Sequence, residues 1–172
     1  MTDGILLICL YGPESTGKST LARHLAAHYH TDYVPEVARE LVTSNSFTAD
    51  DIVRIGRAQT QRVLEKIKTA NRFLFCDTDL ITTQIYCRHY LGSVPALLIE
   101  LEREVVYDHY FLFDTDVPWV ADGMRDLASD EQRRAMLATF RHELECRGIA
   151  YTLVRGNYAE RDAFVKAMVD RL

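Results

Sequence analysis

The chain has 172 residues, of which 48% are hydrophobic and 26% are charged, and its formal net charge is −5 at pH 7. This length and composition predict one globular domain, residues 1–172, with enough apolar residues for a sizeable core. The acidic balance, without a basic cluster interleaved with aromatic residues, argues against a nucleic-acid partner.

The N-terminal apolar run and the cysteines indicate the compartment. Residues 5–10 form an apolar run that is too short for a signal peptide or a membrane span, so we expect no membrane partner. The four cysteines show no CxxC spacing, and Cys9 and Cys76 lie inside apolar, strand-like runs. Buried free thiols suit a reducing compartment, so we expect a cytoplasmic protein.

The first predicted strand, residues 5–10, is followed by the sequence G-P-E-S-T-G-K-S and then by helical spacing over residues 20–29. This order matches the phosphate-binding pattern G-x-x-x-x-G-K-[ST] in the strand–loop–helix context that it requires. Glycines let backbone N–H groups form an anion cradle, and the helix points its positive end at the same phosphates. We predict a nucleoside triphosphate site in which Lys18 reaches the β and γ phosphates and Ser19 ligates Mg²⁺. The predicted nucleotide-binding residues of this loop are Gly12, Glu14, Ser15, Thr16, Gly17, Lys18, Ser19 and Thr20.

Beyond the loop, short apolar runs alternate with stretches of helical spacing. The later predicted strands are residues 30–34, 73–76, 110–113 and 149–154. The later predicted helices are residues 36–42, 52–69, 80–90, 95–106, 130–147 and 158–172. This alternation predicts an α/β P-loop fold, a parallel sheet of about five strands with helices on both faces. Such sheets bind ligands at the carboxyl ends of their strands, the edge where the phosphate loop lies.

Acidic residues at that edge are predicted to act on the metal and on the substrate. Asp77 ends an apolar strand, the usual position of the Mg²⁺-side acid in P-loop proteins, so we predict it as a metal ligand and catalytic residue. For Asp79 we expect contact with a substrate hydroxyl or Mg²⁺, the N-cap of the next helix, or both roles together. Glu36 is predicted to orient or deprotonate an attacking hydroxyl, and Arg39 to hold the acceptor group. The alternative for these two residues is a solvated ion pair at a helix start.

Three arginines and two tyrosines are further candidates. Arg125, in a polar and irregular segment, is predicted to bring its guanidinium to the negative charge that develops during phosphoryl transfer. Arg133 and Arg134 are secondary candidates for this role, and simple solvation is the alternative for both. Tyr86 and Tyr90, one helical turn apart, are expected either to form a stacking surface for a ring or to pack in the core.

These residues together make the chain resemble the ribosylnicotinamide kinase domain of the NadR family over nearly its whole length. The resemblance lies in the phosphate loop and in residues 36–40 (E-V-A-R-E), 77–84 (D-T-D-L-I-T-T-Q), 119–125 (W-V-A-D-G-M-R) and 157–161 (N-Y-A-E-R). It implies that the chain uses ATP and Mg²⁺ to phosphorylate the 5′-hydroxyl of nicotinamide riboside, giving nicotinamide mononucleotide. It also implies that Asn157 and Arg161 lie at the adenine and that Tyr90 lies near the nicotinamide.

The sequence departs from the family in two respects. NadR proteins usually have a Trp just before the acid of the Glu-x-x-Arg-Glu segment, where this chain has Pro35. They also carry an adenylyltransferase domain with an HxGH-type motif, which this sequence lacks, so we expect no dinucleotide synthesis from it. The sequence therefore leaves the identity of the acceptor open, and nicotinamide riboside, another nucleoside or a hydroxylated metabolite are the candidates.

A regulatory P-loop ATPase is the alternative from a different class. It would need a residue that positions water, and Gln84 is the candidate, although it lies two helical turns beyond Asp77. No Asn-Lys-x-Asp string for reading guanine is present, which disfavours a GTPase switch. The choice between ATP and GTP, the identity of the base and the oligomeric state stay open at this point.

Overall fold

The computed structural model describes residues 4–42, 46–121, 126–127 and 129–172. The strands are β1 Leu6–Tyr11, β2 Tyr33–Val34, β3 Phe73–Asp77, β4 His109–Phe113 and β5 Thr152–Val154. The helices are α1 Lys18–His28, α2 Ala38–Leu41, α3 Ala49–Ile67, α4 Leu80–Leu91, α5 Ala96–Glu102, α6 Asp130–Cys146 and α7 Tyr158–Val169. The five strands form one parallel sheet in the order β2-β3-β1-β4-β5, which confirms the predicted α/β P-loop fold.

Helices cover both faces of the sheet because its strands present apolar side chains on both sides. On one face, Leu25 of α1 and Val165 of α7 belong to the same buried cluster as Phe75 of β3. On the other face, Ile85 of α4 and Phe140 of α6 pack with residues of β1 and β4. Burial on both faces explains why the strands read as continuous apolar runs.

The central strand β1 positions the phosphate loop. It pairs with β3 on one side, with Leu10 opposite Asp77, and with β4 on the other, with Tyr11 opposite Leu112. The loop that follows β1 therefore emerges at the middle of the carboxyl edge. Asp77 lies at the end of the neighbouring strand, beside the start of the loop.

Two strands are shorter than predicted because the residues at their start form the end of the preceding helix. Strand β2 has two residues, since His30 has a φ of 52° and the N–H of Thr31 bonds back to the end of α1. Strand β5 begins later than predicted, since the N–H of Ile149 bonds back to the carbonyl of Leu144 at the end of α6. Helices α2 and α5 are also shorter than predicted.

The cysteines are free thiols. Cys9, Cys76 and Cys87 are buried and Cys146 is exposed. Across the ranges that the structure describes, none of the helices combines the length and the apolar character that crossing a membrane requires.

Candidate active site

Two glycines shape the phosphate loop between β1 and α1. Gly12 has a φ of +136°, and a Cβ there would lie 2.8 Å from the carbonyl oxygen of Phe113. Gly17 has a φ of +87° and caps α1, and a Cβ there would lie 2.8 Å from the ring of Tyr158. Residues with a side chain rarely adopt such conformations, so the turn depends on glycine at both positions. The backbone between them wraps in the manner of an anion cradle.

Lys18 is folded over this loop. Its Nζ donates to the carbonyl oxygen of Pro13 at 2.6 Å and to Thr16 Oγ1 at 3.3 Å, and its side chain is buried. Thr16 Oγ1 donates to the same carbonyl at 2.9 Å. The ammonium is thereby held inside the turn, where a P-loop lysine meets the phosphates of a nucleotide.

Asp77 is the buried acid at this edge of the sheet. Its Oδ1 is buried and has no hydrogen-bond partner among the residues that the structure describes, and the hydroxyl of Ser19 hydrogen-bonds to the carboxyl group. Burial and the nearby Glu36 carboxylate raise the pKa of Asp77, and Lys18 and the Ser19 bond offset part of this rise. An unpartnered carboxylate oxygen beside a hydroxyl fits Mg²⁺, which takes few protein ligands and completes its shell with water and phosphate oxygens.

Glu36 and Arg39 line the same cleft as Lys18 and Asp77. Arg39 Nε lies 2.7 Å from Glu36 Oε2, and the side chains are 38% and 25% exposed, respectively. This is the predicted ion pair at the helix start. The carboxylate of Glu36 nevertheless lies close enough to Asp77 to raise its pKa. The pair is therefore placed at the mouth of the cleft, next to the proposed metal ligand.

The cleft continues from the phosphate loop into an apolar recess with three aromatic rings. Tyr86 and Tyr90 stack with their ring centroids 6.3 Å apart, and Phe47 meets Tyr90 edge-on at 5.5 Å. The recess is completed by residues of α3 and α4: Ile52, Ile55, Gln59, Thr82 and Thr83. The structure shows both of the expected arrangements, because the two stacked rings line the cleft and Tyr86 also packs against the core beside Phe140.

The structure does not bring Asp79 to this cleft. Asp79 caps α4, and its Oδ1 accepts from the N–H and the hydroxyl of Thr82 at 2.8 and 2.9 Å. Its Oδ2 accepts from the Tyr110 hydroxyl at 3.0 Å. Burial raises the pKa of Asp79 to about 6. Of its predicted roles, the N-cap is the one that the geometry shows, because both carboxylate oxygens are already engaged by protein donors.

Glu14 was predicted to bind phosphate, but its polar groups have other partners. Its N–H donates to a tyrosine hydroxyl of α4 at 3.2 Å. Its Oε1 accepts from Trp119 Nε1 at 3.2 Å and from the N–H of Leu127 at 3.0 Å. Ser15 makes a similar connection, because its Oγ accepts from the N–H of Val120 at 2.8 Å. Both side chains tie the phosphate loop to the segment before α6.

The three arginine candidates differ in what the structure says of them. Arg125 lies outside the described residues. Arg134 is exposed on α6, as the solvation alternative predicts. Arg133 is buried, and within the described ranges its Nε and Nη2 have no hydrogen-bond partner.

Arg161 and Asn157 were expected at the adenine, but the structure gives them internal partners. Asn157 caps α7 in a capping box, accepting from the N–H of Glu160 at 3.0 Å. Arg161 is 1% exposed and donates to the carbonyl oxygens of Gly156 and Thr16 at 2.7 and 2.8 Å. Its Nη2 donates to the carbonyl of Asp114 at 3.0 Å and also contacts the carboxylate of Asp116. Arg161 is therefore a structural anchor of the phosphate loop.

Sequence reasoning missed Phe47 and Gln59 as cleft residues. Phe47 lies in a break between helices, where no periodic pattern marks a buried side chain. Gln59 does carry a signal, because Ile52, Ile55 and Gln59 share one face of α3 by their spacing. The amide of Gln84 donates to Glu102 and accepts from the guanidinium of Arg147, away from the cleft. It is therefore not placed to position a water molecule at the phosphate loop.

A phosphate loop between β1 and α1, with Ser19 and Asp77 meeting at its open side, defines a P-loop nucleotide-binding protein. The chain belongs to the AAA domain family, whose model matches residues 7–161.

Two curated relatives share about a third of their residues with this chain over the aligned region. The trifunctional NAD biosynthesis/regulator protein NadR of Salmonella typhimurium is 34% identical over 134 residues, covering 74% of this chain and 33% of the relative. The NadR protein of Escherichia coli is 34% identical over 133 residues, covering 74% and 32%. The chain thus spans about one third of the length of the curated relatives it matches.

Solved structures agree on the fold. A NadR protein in complex with NR superposes with a TM-score of 0.82 at 21% identity, covering 98% of this chain and 52% of that one. A NadR protein with NAD and AMP-PNP gives 0.81 at 21% identity, covering 99% and 50%. Deoxyadenosine kinase from M. mycoides gives 0.67 at 11% identity, covering 97% and 100%.

Proposed function

We propose that the chain is an ATP-dependent small-molecule kinase that phosphorylates the 5′-hydroxyl of nicotinamide riboside, giving nicotinamide mononucleotide. The observation that carries this proposal is one cleft that joins the phosphate loop, the carboxylates of Asp77 and Glu36, and an aromatic recess. A nucleotide on the loop directs its terminal phosphate along this cleft, toward an acceptor whose ring lies in the recess.

The side chains of the cleft divide the work between the two substrates. Lys18 and the N–H groups of the loop hold the nucleotide phosphates. Ser19 and Asp77 hold Mg²⁺, which supplies positive charge to the phosphates when it is bound. Glu36 orients the acceptor hydroxyl or takes its proton, and Arg39 holds the acceptor. Positioning and electrostatic stabilisation then account for most of the lowering of the barrier.

Two further assignments belong to the proposal. Arg125 is the arginine proposed to meet the charge that develops on the transferred group. The adenine is proposed to lie at the loop that leads into α7. There the ring of Tyr158 is 52% exposed and lies against Gly17, so a base can stack on it.

The recess contains aromatic rings that can replace the tryptophan that this chain lacks at position 35. Pro35 is not part of the cleft lining, whereas Phe47 and Tyr90 both are. We propose that Phe47, edge-on to Tyr90, supplies the aromatic contact that the family usually takes from the residue before the acid. An acceptor with a planar ring therefore still finds aromatic surface in this chain.

The relatives support this choice of acceptor. The curated relatives are named for NAD biosynthesis, and one solved NadR structure contains NR, nicotinamide riboside. The proposal concerns only the reaction that the matched third of those proteins can carry. The net charge of −5 disfavours a nucleic-acid partner, and the free buried thiols of Cys9 and Cys76 suit the reducing cytoplasm.

The test is ADP release with Mg-ATP across a panel of nucleosides, including nicotinamide riboside and a reaction without acceptor. We expect strong stimulation by nicotinamide riboside, with phosphorus NMR placing the new ester on the 5′-oxygen. The Lys18→Ala variant, purified in parallel, controls for contaminating kinases. Stimulation by another nucleoside alone would keep the kinase and change its acceptor. Hydrolysis that ignores every acceptor would favour the regulatory ATPase.

A further inference from the structure

A small cavity adjoins the acceptor end of the cleft. Gln59 lines both the cleft and this inner cavity. The other polar residues around the cavity are Thr60, Asp79, Glu102, Tyr107 and Tyr110. Its volume is about 20 Å³. A space of this size accepts one water molecule and is too small for a metabolite.

Two polar atoms of residues that line the cavity have no partner among the described residues. Gln59 and Thr60 are each 4% exposed, and Gln59 Nε2 and Thr60 Oγ1 make no hydrogen bond to any residue that the structure describes. Buried polar groups are almost always hydrogen-bonded, to the protein or to ordered water. Two such groups at the wall of one cavity of this size indicate an occupant that bonds to both.

The side-chain nitrogen of Gln59 limits which kind of molecule can occupy the cavity. The N–H of Val37 donates to Gln59 Oε1 at 3.1 Å, so the amide oxygen is bonded and the NH₂ group is the part of the side chain that still needs a partner. An NH₂ group only donates, so its partner must accept a hydrogen bond. A metal cation cannot accept one, whereas water accepts from the amide and donates to a carboxylate such as Asp79.

We propose that a buried water in this cavity holds Gln59, and that Gln59 is a positioning residue for the acceptor side of the site. The water bonds to Gln59 Nε2 and Thr60 Oγ1 and fixes the orientation of the side-chain amide. The amide in turn fixes the N–H of Val37, which is 1% exposed and follows Glu36 directly. Asp79 on the cavity wall caps α4, the helix that carries Tyr86 and Tyr90. The water therefore lies between α3 and the N-cap of α4, the two helices that line the acceptor recess.

The first test needs no enzymatic activity. Thr60→Val keeps the shape of the side chain and removes only its hydroxyl. If the hydroxyl bonds to a water, the variant loses that bond and its melting temperature falls. If the hydroxyl is a true orphan, removing it is neutral or raises the melting temperature, and the inference is overturned. A crystal structure at high resolution should show the water directly, and a dry cavity would equally overturn the inference.

The second test addresses positioning and, for its kinetic part, rests on the proposed function. Gln59→Met keeps the length of the side chain but loses the bond to Val37, so the amide proton of Val37 should exchange faster. We expect kcat/KM for the acceptor to fall by about tenfold or more, with KM for ATP nearly unchanged. The matched control is Gln61→Met on the exposed side of the same helix, where the side chain of Gln61 donates to Glu65.

The outcomes separate this inference from the proposed function. Unchanged exchange at Val37 in the Gln59→Met variant would overturn the positioning role, as would equal losses for ATP and acceptor. A wild-type protein that phosphorylates no acceptor would defeat the proposed function instead. In that case the Thr60→Val and hydrogen-exchange results would still decide whether the water and the Gln59 contact exist.

Discussion

Replacing Arg161 by leucine should destabilise the fold well before it affects any ligand. The guanidinium is 1% exposed and donates to three carbonyl groups, those of Gly156, Thr16 and Asp114. The bond to Thr16 is fully buried, so its carbonyl loses its partner without gaining water. The other acceptors are nearer the surface and recover part of the loss by hydration. With about 1–3 kcal/mol for each bond lost to a charged donor, we expect a total cost of about 3 kcal/mol.

Thermal unfolding without nucleotide, followed by circular dichroism, measures this cost. For a chain of this size, about 3 kcal/mol corresponds to a fall in Tm of roughly 6–12 °C. The matched control is Arg155→Leu in the loop before α7, where the side chain is 64% exposed and pairs with Asp114 at 2.7 Å. Such a surface pair contributes about 0–1 kcal/mol, so its Tm should hardly change. An Arg161→Leu variant with unchanged Tm but a raised KM for ATP would refute this reasoning and place the guanidinium at the nucleotide.

Four further outcomes test the site. Lys18→Ala should abolish ADP release, and a wild-type rate in that variant would contradict the phosphate-loop assignment. Asp77→Asn keeps the side-chain shape, so the fold should survive while kcat falls by about a hundredfold or more; near-normal turnover would exclude Asp77 as the metal ligand. Phe47→Ala should raise KM for the acceptor by about fivefold and leave KM for ATP unchanged. An acceptor KM equal to that of the wild type would show that Phe47 does not contact the acceptor. Asp79 has a folded pKa of about 6, above its ordinary 3.8, so the folded state binds the extra proton and stability falls as pH rises from about 4 to 6. Asp79→Asn should make this slope smaller in urea unfolding at pH 4.5 and 7.5 without abolishing it, because the pKa of Asp77 is raised as well. An unchanged slope would show that Asp79 does not contribute to it.

The parts of the site that could be predicted are those that follow from contiguous sequence. The phosphate loop is one unbroken segment whose glycines at positions 12 and 17 fix the backbone, so its place between β1 and α1 could be predicted from the sequence. Asp77 could be predicted because the carboxyl ends of parallel strands share one edge. The continuous apolar runs also identified the strands of the sheet. A strand that is buried on both faces has apolar residues at successive positions and does not alternate between apolar and polar residues.

What could not be predicted is where side chains point once distant segments meet. Glu14 has the position of a phosphate-binding residue, yet its carboxylate is engaged by Trp119 and Leu127, more than a hundred positions away. Arg161 lies in the segment expected at the adenine, yet burial turns its guanidinium onto backbone carbonyls. A motif specifies which backbone position faces the ligand, but the nearest unsatisfied donor or acceptor decides where a polar side chain goes.

The same reasoning explains why the acceptor is harder to read than the nucleotide. The loop meets triphosphate largely through its backbone, so one contiguous pattern, Gly12 and Gly17 followed by Lys18 and Ser19, predicts the ligand. The acceptor recess is built from side chains of three separate segments, of which Phe47, Gln59 and Tyr90 are one member each. A family position such as Pro35 can then lose its aromatic ring while another segment supplies one. Specificity in this fold is therefore a property of the assembled recess, and the acceptor panel together with Phe47→Ala tests it more directly than any single motif.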